Sequence, residues 1–210
     1  MSDIKNQKIF VDKVVSRTEA LADEKKPIAL YKELVHYRFF EVLSNANPIT
    51  FSMFKEKKFR KLIVKFIKKG AKTDLIWQLP NEFRAFVKNE EKLTIKMPYI
   101  NDLLWFEWIE LKLFMKDYSK LKVSKLKFKN RYKLSKSAKI KKLSYKVYER
   151  DFENSGKYFV LTYYDLEEQE VKYREISDFM YEFLKLINKN TLIQAITYMS
   201  KKYEIESHEI

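Results

Sequence analysis

Cysteine is absent from this chain. Its absence excludes disulfides, thiolate zinc sites, iron–sulfur clusters and a cysteine nucleophile, and it fits a reducing compartment. Glycine occurs 2 times and proline 4 times in 210 residues. So few chain breakers leave little room for long flexible linkers and favour helix. Two glycines, Gly70 and Gly156, are too few for a phosphate-cradling loop. Histidine is nearly as scarce: His36 and His208 do not form an H-x-x-x-H pair, so a metal site would have to lean on carboxylates. His36 stands in a helical run beside Tyr37, Arg38 and Phe39, which reads as a structural or surface histidine. The first residues are charged throughout and lack the apolar stretch of a signal peptide. No run reaches the roughly 18 uncharged residues of a membrane span. The expectation is a cytoplasmic protein without membrane contact, holding no cofactor and no metal of its own.

Lysine is abundant. The net charge is +14, concentrated in residues 55–72, with 9 Lys/Arg against 1 Asp/Glu, and 116–150, with 14 against 2. Patches of this kind attract phosphates or acidic peptides. Only 7 of the 43 basic residues are arginine, the side chain that does most bidentate base reading in DNA grooves. Nucleic-acid contact and a merely solvated lysine surface both remain open. The candidate patch residues are Lys57, Lys58, Arg60, Lys61 and Lys65 in the first run, and Lys127, Lys129, Arg131 and Lys133 in the second.

Apolar spacing at three and four residues predicts helices over 4–22, 28–43 and 58–69, the second stopped near Pro48 and the third by Gly70. A short helix follows Pro80, and another contains L-L-W-F-E-W-I-E-L-K-L-F at 103–114. In the latter, Leu104, Trp108, Leu111 and Met115 form one stripe and Trp105, Ile109 and Leu113 another. Apolar residues almost all round mark the central helix of a bundle. A carboxylate there, Glu107, is costly to bury unless paired or hydrogen-bonded. It reads either as a structural anchor with Trp108, with Arg38 as its mate, or as a catalytic acid; no second carboxylate stands at an obvious catalytic spacing.

After Met115 the pattern changes. Residues 126–134 and 140–148 alternate, 157–165 is rich in β-branched and aromatic residues, and 170–174 alternates again, with turns at 154–156 and 165–169. Two helices follow, capped by Ser177 or Asp178 and by Asn190. The expected architecture is a mainly α N-terminal helical bundle over 1–118, a basic linker or strand segment over 119–136, and a small α+β domain over 137–210, with an antiparallel sheet and two helices.

Several segments resemble a known family. They are Y-K-E-L-V-H-Y-R-F-F-E-V-L at 31–43, N-P-I-T-F-S-M-F-K-E-K-K-F-R-K-L-I-V-K-F-I at 47–67, L-I-W-Q-L-P-N-E-F-R-A-F-V at 75–87 and, most specifically, Y-I-N-D-L-L-W-F-E-W-I-E-L at 99–111. Together they resemble the HvfC/BufC family, long labelled as a DNA-binding domain. L-S-K-S-A-K-I-K-K-L-S-Y-K-V at 134–147 is similar, more loosely, to the start of that family's second domain. The chain departs from the pattern at Phe40, at Glu56 to Lys58 and at Lys136. The resemblance implies a two-domain accessory protein without an active site. Its partners would be a multinuclear non-haem iron oxidase and a small Cys-containing precursor peptide, which it presents for modification. The C-terminal domain would be a winged-helix-like peptide-recognition module working by strand addition.

The residues read on their own are compatible with this. Glu170, Val171, Lys172, Tyr173 and Arg174 form a candidate sheet edge, where a peptide could pair through backbone hydrogen bonds. Phe179, Phe183, Leu192 and Ile196 either line a side-chain pocket there or belong to the domain core. A DNA-binding regulator using the lysine-rich patches is the alternative function.

Overall fold

The computed structural model describes residues 26–73, 75–121 and 125–205. Among these are eight α-helices and one three-stranded antiparallel sheet, an α+β protein. The helices are α1 (Lys26–Ala46), α2 (Pro48–Ser52), α3 (Glu56–Lys69), α4 (Leu79–Val87), α5 (Glu91–Lys96), α6 (Ile100–Phe114), α7 (Asp178–Ile187) and α8 (Leu192–Tyr203). The strands are β1 (Ala138–Tyr145), β2 (Ser155–Asp165) and β3 (Glu170–Glu175). The helix expected over 4–22 lies outside the described residues. The chain divides into two compact units, Met1–Trp108 and Ile109–Ile210, and the basic segment at 119–136 lies within the second.

In the first unit the sequence builds its core from phenylalanine. On α3, Phe59, Ile63, Phe66 and Ile67 are buried on one face while lysines take the other. Glu56 in the first turn and Lys68 and Lys69 in the last oppose the helix dipole. Gly70 ends the helix at φ 85°, a backbone region that side chains disfavour. The ring of Phe59 is fully buried and meets Phe40, Phe51, Phe54 and Phe83 at centroid distances of 5.2–6.3 Å. Phe66 continues the cluster to Phe83 and Phe86. Each such ring contributes roughly 1.5–3 kcal/mol by leaving water. On α6 every residue from Leu103 to Ile109 is buried, as the apolar run requires. The start of α1 corrects the expected boundary: the helix takes in Pro27, whose missing N–H costs nothing in a first turn.

In the second unit the strands run in the order β1–β2–β3, a meander. Ala138 pairs with Tyr163 and Leu143 with Tyr158 on one side of β2; Val160 pairs with Glu175 and Asp165 with Glu170 on the other. Phe159 on β2 meets Tyr181 of α7 at 4.7 Å, so α7 covers the sheet face that Phe159 occupies. Helices α7 and α8 are joined by Glu182, which accepts from Lys202 at 2.6 Å and from the Tyr203 hydroxyl at 2.8 Å, and by Phe179 packed edge-on against Tyr203.

Three expectations need correction here. Residues 126–134 do not join the sheet. Their carbonyls serve α8 instead: Leu192 N–H donates to Asn130 O at 3.0 Å and Ile193 N–H to Phe128 O at 2.9 Å. A helix N-terminus has orphan amides, and the turn at 128–130 supplies the acceptors. Second, Asn190 is not the cap of α8. Thr191 is, in a capping box with Gln194, while Ser177 caps α7. Third, Ser155 and Gly156 belong to β2, and the chain reverses before them, through a 3-10 turn at Val147–Glu149 and the carboxylate of Asp151, which accepts from the amides of Glu153 and Asn154.

Candidate functional site

Glu107 is 5% exposed, and both of its oxygens are engaged. Oε1 accepts from the amides of Ile49 at 2.7 Å and Thr50 at 3.2 Å; Oε2 accepts from the Thr50 hydroxyl at 2.6 Å. These amides are the second and third of α2, whose own N-cap, Asn47, makes no side-chain capping bond. A carboxylate from α6 thus does the capping, placed at the positive end of a short helix. Arg38 is not its mate: it is exposed and bonds Glu41 at 2.7 Å, one turn along α1. Trp108, beside Glu107 in the chain, is packed under the guanidinium of Arg84, 5.0 Å above its ring. Burial pushes the Arg84 pKa down from its ordinary value. The arrangement holds α2 on α6 through hydrogen bonds to both carboxylate oxygens.

The β3 edge is the first surface with binding geometry. The bond from Ile176 N–H to Phe159 O sets the phase of the ladder. In an antiparallel pair the bonded positions alternate, so Glu170, Lys172 and Arg174 face β2. The backbone groups of Val171, Tyr173 and Glu175 point to the other side, where no further strand follows among the described residues. A shallow cleft of about 420 Å³ lies along this edge, lined by Tyr163, Val171, Lys172, Tyr173 and Arg174. Lys172 is tethered within it: Asp165 at 2.9 Å and Glu168 at 2.7 Å hold its ammonium and raise its pKa. Lys146 bonds Glu175 at 3.0 Å, which lowers the pKa of that carboxyl. Phe179 and Phe183 do not line this cleft. Phe179 packs on Tyr203, and Phe183 is half-buried on α7.

Of the basic residues, Arg60 is committed. It bonds Glu56 at 2.7 Å and lies over the Phe40 ring at 3.7 Å. Lys57 is exposed on α3. Lys58, Lys61 and Lys65 line a larger cleft of about 550 Å³ in the first unit, whose floor is Met53, Phe54, Leu62, Leu93 and Met97. Lys55, Lys92 and Lys96 complete its rim. The sequence reading named the α3 lysines but missed the floor and the α5 side. Lys92 and Lys96, one helical turn apart, were the available signal. Lys127, Lys129, Arg131 and Lys133 are exposed in the second unit, where the Arg131 backbone bridges to Thr191.

Glu33 stands three residues before His36 on α1, an E-x-x-H spacing. Even so, no group of three or more His, Cys, Asp or Glu among the described residues could hold a metal ion. Nor is any described helix long and apolar enough to cross a membrane. No family model matches this chain, and no curated protein matches it.

Proposed function

We propose that this chain is a non-catalytic accessory protein that captures an extended peptide by strand addition at β3 and presents it to a partner enzyme. The open edge of β3 carries this reading. Val171 and Glu175 direct backbone donors and acceptors away from β2, beside a cleft that can take alternate side chains of an added strand. In the terms of the HvfC/BufC resemblance, the second unit is a winged-helix-like recognition module. The enzyme is then a multinuclear non-haem iron oxidase, the peptide a small Cys-containing precursor, and the setting the cytoplasm. Iron belongs to the partner in this scheme. The test is co-expression with such an oxidase and its precursor peptide, followed by size-exclusion chromatography. Co-elution of the three is expected; separate elution at micromolar concentration overturns the reading.

A second reading, a DNA-binding regulator, is favoured by one observation: Lys57, Lys58 and Lys61 on α3 make no ion pair among the described residues. It predicts duplex binding with a steep salt slope. With Arg60 occupied by Glu56 and Phe40, the helix offers phosphate contacts and little base readout.

A further inference from the structure

The lysine-rimmed cleft of the first unit has an apolar floor that neither of these readings uses. Its floor is wholly apolar: Met53 and Phe54 after α2, Leu62 from α3, and Leu93 and Met97 from α5 and its end. These side chains are backed by the phenylalanine core, Phe54 meeting Phe59 at 5.7 Å. Its rim is cationic on both banks, with Lys55, Lys58, Lys61 and Lys65 on the α3 side and Lys92 and Lys96 on the α5 side. The one carboxylate among them, Glu90, is taken by Lys65 at 3.1 Å. Lys55, Lys58, Lys61, Lys92 and Lys96 are exposed and make no ion pair among the described residues.

We infer that this cleft binds an acidic amphipathic helix of a partner protein, with its apolar stripe on the Met53–Phe54–Leu62–Leu93–Met97 floor and its Asp or Glu flanks between the two banks of lysine. The spacing supports a helix. Lys58, Lys61 and Lys65 fall at three- and four-residue steps along α3, a row of about 10 Å at 1.5 Å per residue. A row of that length faces two turns of an incoming helix. Helix-in-groove recognition needs an apolar groove and complementary flanks, and charge on both banks fixes orientation and speeds encounter. A fatty-acid anion offers one carboxylate, which leaves most of this rim unmatched. Duplex DNA offers phosphates and no apolar stripe, so the floor would stay in water. The inference is independent of strand addition at β3, whose residues lie in the other unit.

The test is fluorescence anisotropy of the full chain with a labelled synthetic helix of about four turns, built of Leu and Glu with leucine at positions i, i+3, i+4 and i+7. A scrambled peptide of the same composition and a duplex DNA serve as competitors. Saturable binding of the amphipathic peptide is expected, with at least tenfold weaker binding of the scrambled one. A similar loss is expected in the exposed-charge variant Lys58→Glu/Lys61→Glu/Lys92→Glu and in the floor variant Leu93→Ser. The charge variant changes only exposed side chains, and its circular dichroism spectrum, expected to match that of the unsubstituted chain, checks that it folds. No binding, equal binding of the scrambled peptide, binding unchanged by the charge variant, or complete displacement by duplex DNA would each overturn the inference.

Discussion

Glu107 and Thr50, distant in sequence, are joined twice: the carboxylate takes the threonine hydroxyl on one oxygen and its amide on the other. With the Ile49 amide, this gives a buried charge three donors. Charged hydrogen bonds of this kind contribute more than neutral ones, and a buried partner left without its mate is penalised. Replacing the carboxylate by an amide turns three charge-assisted hydrogen bonds into neutral ones, the Thr50 hydroxyl rotating to accept from the new NH₂. Glu107→Gln is expected to lower stability by about 2–3 kcal/mol, seen as a reduced urea midpoint with an unchanged slope. A midpoint equal to that of the unsubstituted chain would remove the anchoring role.

The β3 edge permits a backbone test. Proline lacks an N–H and is tolerated on an edge where that group faces outward. Val171→Pro should therefore leave the sheet intact by circular dichroism while reducing capture of the precursor peptide at least tenfold. Lys172→Pro, at a position bonded to β2, should instead destabilise the sheet. Undiminished peptide capture by Val171→Pro would exclude strand addition at this edge.

Helix α8 depends on its capping box. Thr191 Oγ1 accepts from Gln194 N–H at 3.4 Å and Gln194 Oε1 accepts from Thr191 N–H at 3.0 Å. Thr191→Ala is expected to cost about 1 kcal/mol, and Thr191→Ser much less. Denaturant midpoints of the two variants, compared side by side, check the difference.

The β2–β3 turn should respond to acid. Asp165 is held by Lys172 and by the amides of Glu168 and Glu167, which lower its pKa. Because the folded value is depressed, the stabilisation is complete above the ordinary carboxylate range, near pH 4, and is lost as pH falls through the folded value. Amide exchange at Glu167 and Glu168 should accelerate on that descent, beyond the intrinsic effect of pH. In Asp165→Asn the additional acceleration should be absent; if it persists, another group is responsible.

The α+β architecture was legible in the sequence where one periodicity ran unbroken. The buried positions of α3 follow the 3.6-residue pattern, α6 is buried all round from Leu103 to Ile109 as its apolar run requires, and 157–165 has strand composition over its whole length. Local chemistry was legible in principle at Thr191, where T-L-I-Q spells a capping box, although Asn190 drew the assignment. What could not be read was partnership at long range. The donors to Glu107 are mostly backbone amides, which every residue carries, so the sequence offered Arg38 as the conspicuous cation when the actual partners were Ile49 and Thr50. Residues 126–134 alternate like a strand but turn at 128–130, and alternation does not say whether the carbonyls meet a sheet or a helix end. The lysine stripe of α3 was visible, but its apolar neighbour was assembled from the residues after α2, from α3, and from α5 and its end, which no single segment displays.

The stretch that lends its carbonyls to α8 ties together parts of the second unit about sixty residues apart along the chain. Such a fastening is a non-local contact, of the kind that must close a long loop and slows folding. It also leaves the Phe128 ring standing in solvent at 65% exposure while its carbonyl holds the Ile193 amide. The unit therefore carries an exposed aromatic ring, flanked by Lys127 and Lys129, whose own backbone is fixed at a helix end.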